Sequence, residues 1–255
     1  RVDIGNNSMN NNNILDNDEL IKDMLPVAKY MWTLPYPVKE VNCHLGLGEN
    51  TKPILMHDTG MVIRWVCNNG GEKEVTEVML HVFNEYYLAS KDEDGHFQQK
   101  LMLDVGSNVG YYGLLAASYG LKTIAFDLQP ECIAVLQNNV LVNNLGENMR
   151  VIPKGVSEEA ASISVPDEGC DGSFPFREPT SERASKQVSV ELHPLQHYLP
   201  DDKSLEIQMM KVDTEGNEKR VLASALPFFA SGKIKNAIVE VTPGHGFWSK
   251  AGITP

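Results

Sequence analysis

The rhythm of hydrophobic and polar positions changes twice along the chain. From 54 to 66 (ILMHDTGMVIRWV), two apolar runs flank Asp58-Thr59-Gly60, a pattern that predicts a hairpin. Between 73 and 90, Val75, Val78, Met79, Val82, Phe83 and Tyr86 recur at helical spacing, which predicts a helix with one face packed on a sheet. After Gly95, short apolar runs alternate with helical stretches. Strand 100–105 leads to helix 109–119, stopped by Gly120, and strand 123–128 leads to helix 130–144, with Ile133, Leu136, Val140 and Leu141 on one side. A strand over 151–157 follows, then strands 162–166 and 187–192 around a polar loop at 167–186 that suits a variable lid. Strand 205–213, helix 215–229 and strand 236–241 complete the series.

Alternation of this length specifies an α/β fold, a doubly wound and mostly parallel sheet with helices on both faces and a ligand site at the carboxyl ends of the strands. Ahead of it, residues 1–18 are Asn-rich and poor in apolar groups, which predicts a disordered tail. A helix over 19–32 ends before Pro35 and Pro37. The expected organisation is a tail (1–18), an N-terminal helical and hairpin arm (19–94) and a ligand-binding domain (95–255).

Composition narrows the partners. With 34 acidic and 22 basic residues the formal charge is -12, which opposes attraction to nucleic acid, and no apolar run is long enough to span a bilayer. Cys43, Cys67, Cys132 and Cys170 show no metal-ligand spacing, and they are expected as free thiols, which favours a reducing, cytoplasmic setting.

The candidate chemistry begins at LDVGSNVGYYG, residues 103–113. Asp104, Gly106, Asn108 and Gly110 form a D-x-G-x-N-x-G turn from strand to helix, in which glycines allow positive φ and close approach to a ligand. Asn108 stands where a dinucleotide fingerprint has its second glycine. A carboxylate at the end of the next strand, Asp127, can accept hydrogen bonds from both hydroxyls of a ribose, in an NAD or an S-adenosylmethionine site alike.

LDVGSNVGYYG, AFDLQP, NVLVN (139–143), VIPKGVS, MKVDTEGNEKRVL (210–222) and IVEV (238–241) together resemble the FkbM-type S-adenosylmethionine-dependent methyltransferases, in the family's order and over about residues 95–242. The resemblance implies a class I methyltransferase (Rossmann-like) fold and O-methylation of a sugar, glycan, glycolipid or polyketide-like hydroxyl. It also implies that Asp104, Gly106, Asn108 and Gly110, with Ser107 in the same turn, surround the methionine portion of the cofactor. Asp127 would then hold the ribose, and Val156 and Ser157 would lie near the adenine.

Three departures from the family pattern stand out. Phe126-Asp127-Leu128 replaces Phe-Glu-Pro, Leu192-His193 replaces Leu-Asp, and the chain leaves no room for two further strands after IVEV, so an abbreviated or truncated sheet is expected.

For catalysis, Asp213 closes the apolar run LEIQMM and is the candidate base or acceptor-orienting group, with Glu215 and Glu240 shaping the site and His245 a weaker candidate base. Glu218 reads as a helix-start acid. No metal is expected; a divalent ion on Asp213, Glu215 and Glu240 is a lesser alternative without a recognisable ligand spacing. The alternatives to a methyltransferase are an inactive methyltransferase-fold binding module and an NAD-dependent oxidoreductase.

Overall fold

The computed structural model of the chain describes residues 38–41, 54–57, 73–89, 100–167, 169–170, 187–199 and 202–241. The expected tail, the helix over 19–32, most of the loop 167–186 and His245 lie outside the described residues.

Five parallel strands form the central sheet: β3 (Leu101–Val105), β4 (Lys122–Phe126), β5 (Met149–Ile152), β9 (Ile207–Val212) and β10 (Ala237–Val239), in the order β10-β9-β3-β4-β5. β3 lies at the centre, and the chain winds outward to β4 and β5 on one side before returning to β9 and β10 on the other. This is the class I methyltransferase, Rossmann-like arrangement, and its reversal of winding opens a crevice at the carboxyl ends of β3 and β9.

Strand alternation distributes the apolar side chains to two cores. Met102, Ala125, Met149, Val151 and Met209 face one layer, packed with α1 (Lys73–Ala89), α2 (Tyr111–Ser118) and α3 (Pro130–Val142). Leu101, Leu103, Val105, Ile124, Phe126, Met210 and Val212 face the other, with Val221, Ala225 and Phe228 of α5 (Glu218–Ala230). In α1 the predicted stripe is buried at Met79, Val82, Phe83 and Tyr86, whereas Val78 is exposed. Leu141 of α3 is exposed too, away from the buried face of Ile133, Leu136 and Val140.

Two stretches differ from expectation. Strand β2 (Ile54–His57) pairs antiparallel with β1 (Val38–Val41), which the apolar pattern did not mark; the run after Gly60, expected as the hairpin's second strand, lies outside the described residues. The stretch 151–157 is not one strand: β5 ends at Ile152, and after Pro153 and Lys154 the chain enters β6 (Gly155–Val156) of another sheet. That sheet holds β6, β7 (Ala161–Pro166) and β8 (Gln187–His193) in the order β6-β8-β7, with the short helix α4 (Leu195–Tyr198) after it. Pro153 accounts for the break, because it supplies no N–H to a ladder.

The cysteine expectation is also corrected. Cys132 on α3 and Cys170 are joined by a disulfide, so these two are not free thiols. They stand 38 residues apart, and nothing in their spacing marks them as a pair. Among the described residues, no helix is long and apolar enough to cross a membrane.

Candidate active site

The turn after β3 is built by left-handed backbone. Gly106 and Gly110 have φ of +80° and +88°, and Asn108, at +52°, is of a residue type that tolerates this region better than most. A Cβ on Gly106 would stand 1.7 Å from the carbonyl oxygen of Asp213, and one on Gly110 would stand 2.0 Å from Leu136 Cδ1. The small residue at 106 thus admits the backbone of the strand-end segment after β9.

Every backbone N–H from Gly106 to Gly110 is satisfied within the protein. Gly106 and Ser107 donate to the Phe126 carbonyl and Gly110 to the Ser107 carbonyl. Asn108 donates to Asp127 Oδ2 at 2.7 Å and Val109 to Asn108 Oδ1 at 2.8 Å. A diphosphate cradle needs such donors turned toward the ligand. This turn offers none, which argues against a dinucleotide. Asp104 is 1% exposed, and its Oδ2 accepts the N–H of Gly113, pinning the start of α2 to β3 from inside the fold.

Asp127 follows β4, beside that turn. Its Oδ1 accepts the N–H groups of Leu128 and Gln129, and its Oδ2 that of Asn108. Burial pushes the carboxyl up to about 6 despite these three N–H donors, and Asp104 adds a smaller push in the same direction. A carboxylate has about four acceptor positions, so one remains for a further hydroxyl.

Val156 ends β6 and Ser157 follows it. Val156 is buried, its carbonyl accepting Asn217 Nδ2 at 3.1 Å, and the Ser157 N–H bonds the His193 carbonyl. Asn217 thereby ties the sheet of β6 to the segment that follows β9.

That segment, Asp213 to Glu218, carries the acids. Lys211 of β9, 6% exposed, places Nζ 2.7 Å from Asp213 Oδ2 and 5.1 Å above the ring of Tyr112. Lys211 was not singled out from the sequence; its place two residues before Asp213, near the end of the same apolar run, was the available signal.

Burial alone would raise Asp213, but the Lys211 ammonium and a hydrogen bond with Glu240 outweigh it and hold the carboxyl below its usual range. Glu240, just after β10, is raised, first by its hydrogen bond with Asp213, then by desolvation and by the charges of Asp213 and Glu215. The pair therefore divides into an ionised Asp213 and a proton-holding Glu240.

Helix α5 begins at Glu218, so Glu215 precedes the helix rather than lying in its first turn, and has φ of +53°. Glu218 is buried and accepts from the Thr214 and Gly216 N–H groups and from the Thr214 hydroxyl. It is the strut of this loop, in keeping with its reading as a helix-start acid. One carboxylate oxygen from each of Asp213, Glu215 and Glu240 lies within 4.8 Å of the other two.

The structure thus brings two expected groups together, the turn with Asp127 and the acids after β9, joined where Gly106 meets the Asp213 carbonyl. The model of the methyltransferase FkbM domain matches residues 104–252. The chain belongs to this family. Membership in this family implies S-adenosylmethionine as the cofactor.

No curated protein matches the chain in sequence. Among solved structures, it is similar to the N-terminal domain of human METTL16 in complex with SAH, at 12% identity over 91% of this chain and 81% of that one, with a TM-score of 0.39. It is also similar to the SAM-dependent methyltransferase from Agrobacterium tumefaciens, at 16% identity and a TM-score of 0.32. The match covers 48% of this chain and spans 34% of the Agrobacterium protein.

The residues of the FkbM-domain site fit this cofactor: a buried carboxylate at a strand end suits a ribose, and a turn with no outward N–H suits a ligand without phosphate.

Proposed function

We propose that this FkbM methyltransferase O-methylates a small-molecule or glycan hydroxyl, on a sugar, glycan, glycolipid or polyketide-like acceptor, and takes neither nucleic acid nor lipid surface as its main partner. The observation that carries the reading is the Lys211–Asp213–Glu240 group beside the cofactor turn. It supplies one ionised carboxylate to an acceptor O–H while storing a proton on its neighbour. The net charge of -12 supports a neutral or cationic acceptor over a polyanion.

In this reading Asp127 holds the ribose, Val156 and Ser157 border the adenine, and Asp104, Gly106, Ser107, Asn108 and Gly110 shape the wall around the methionine portion. The cofactor supplies an electrophilic methyl group on a sulfonium. Asp213 accepts the hydrogen bond of the acceptor hydroxyl, aligns its oxygen, and takes its proton as the oxygen gains the methyl. Lys211 keeps Asp213 ionised beside Glu240, and Glu215 lines the approach. The depressed affinity of Asp213 for protons makes it an orienting group first and a base second.

The test is turnover of labelled cofactor with pools of glycans, glycolipids and polyketides, using wild type and Asp213→Asn. Label entering a hydroxyl acceptor in wild type, and lost about 10²-fold in the variant, is the expected result. A protein that binds cofactor and labels no pool would favour a binding module instead.

A further inference from the structure

We infer that Asn139 is a positioning residue of the cofactor turn: its side-chain amide ties the carbonyl of Val109, inside Gly106–Gly110, to the backbone of β2. The inference rests on the assignment of that turn to S-adenosylmethionine and adds to it a residue from helix α3 and a contribution from the N-terminal hairpin.

Asn139 is fully buried, so its amide must find partners inside the protein. Its Oδ1 accepts the His57 N–H at 2.8 Å, and its Nδ2 donates to the Val109 carbonyl at 2.9 Å. Only this orientation of the amide satisfies both, because one neighbour can only donate and the other only accept.

One turn further along the helix, Asn143 repeats half of the device. Its Oδ1 accepts the Leu55 N–H at 2.8 Å, and its Nδ2 donates to the carbonyls of Leu55 and Asn139.

The spacing explains why N-x-x-x-N serves here. Four residues of helix rise about 6 Å, close to the roughly 6.7 Å between alternate residues of a strand. Leu55 and His57 turn the same edge of β2 toward α3, while Ile54 and Met56 put their side chains in the core. The two amides thus stand in for a neighbouring strand.

Asn139 differs from Asn143 in its second bond. Asn143 returns to β2 and to its own helix, whereas Asn139 reaches the turn between β3 and α2. It fixes the peptide between Val109 and Gly110, next to Asn108, whose N–H holds Asp127. A shift of Val109 would disturb both the left-handed backbone and the carboxylate assigned to the ribose.

The test is calorimetric titration of the full chain with S-adenosylhomocysteine, in wild type and in Asn139→Asp, Asn143→Asp and Asp127→Ala. Asn139→Asp keeps an acceptor for the His57 N–H and turns an oxygen against the Val109 carbonyl, and about 10-fold weaker binding is expected. Asn143→Asp disturbs the hold on β2 without touching Val109, and affinity within about 2-fold of wild type is expected.

Equal weakening in both asparagine variants would assign the effect to the hairpin as a whole and overturn the role of the Asn139–Val109 bond. Unchanged affinity in Asn139→Asp, with Asp127→Ala weakened, would overturn it as well. Unchanged affinity in Asp127→Ala would instead remove the assignment of the ribose site.

If Asn139→Asp does not fold, hydrogen exchange on the wild-type chain decides. S-adenosylhomocysteine should slow the His57 amide by about 10-fold more than the amides of β7 and β8, and equal slowing would overturn the inference.

Discussion

The carbonyl oxygen of Asp213 occupies the place where a side chain on Gly106 would stand, with a Cβ there coming within 1.7 Å. Two motifs more than a hundred residues apart, the glycine turn and the acidic loop, are therefore in backbone contact, and each sets the position of the other. Substituting Gly106 strains the φ of +80° and drives the ends of β3 and β9 apart. Gly106→Ala is expected to destabilise the fold by about 3 kcal/mol or more, from the added strain and overpacking. Urea unfolding measures it, and a loss below about 1 kcal/mol would show that the contact yields easily.

Lys211 is the counter-charge of Asp213, and the two are largely buried. Lys211→Met leaves Asp213 beside Glu240 and Glu215 with no cation, at a cost of about 2–3 kcal/mol in stability, and should raise the Asp213 carboxyl toward that of Glu240. The rate of methyl transfer should then fall on the acid side of its pH profile. An unshifted acid limb would separate Lys211 from the reaction.

Asp127 predicts two opposite pH effects. Its folded-state value, about 6, lies above the ordinary 3.8, so the stability it contributes is fully present below about pH 4 and is lost as pH rises through 6, about 3 kcal/mol in all. In the difference between wild type and Asp127→Asn, stability should fall between pH 4 and 7. Cofactor binding runs the other way: the ionised carboxylate accepts a ribose hydroxyl, so S-adenosylhomocysteine affinity should fall as pH drops below about 6. Affinity flat from pH 5 to 7.5 would argue against the ionised form as the ligand-binding one.

The disulfide closes a loop between Cys132 and Cys170. Near it, Cys170 Sγ stands 3.6 Å from Asn108 Oδ1, and Glu131 accepts the Gly169 N–H. Reduction, or Cys170→Ser, should lower stability by roughly 2–4 kcal/mol through the entropy of the unfolded chain. Thermal unfolding with and without reductant is the measurement, and no shift would mean that the bridge adds nothing to the folded state.

The sequence made the central sheet readable because buried parallel strands are short apolar runs between helices of constant period, and Leu101–Val105 and Ile207–Val212 have that form. The left-handed turn after β3 was readable as well, since Gly106, Asn108 and Gly110 announce their backbone by residue type.

What stayed hidden depends on distant partners. No local pattern shows that Gly106 answers to Asp213 or that Cys132 meets Cys170. β1 escaped because VKEV alternates weakly and owes its pairing to β2, whose outer edge is held by Asn139 and Asn143.

The most direct test of the account is titration of the full chain with S-adenosylhomocysteine and with NAD at neutral pH, in wild type and in Asp127→Ala. The account predicts that wild type binds S-adenosylhomocysteine and not NAD, and that Asp127→Ala weakens binding by about 1.5–3 kcal/mol with the fold intact. Binding of NAD, or equal affinity for S-adenosylhomocysteine in the two proteins, would contradict it.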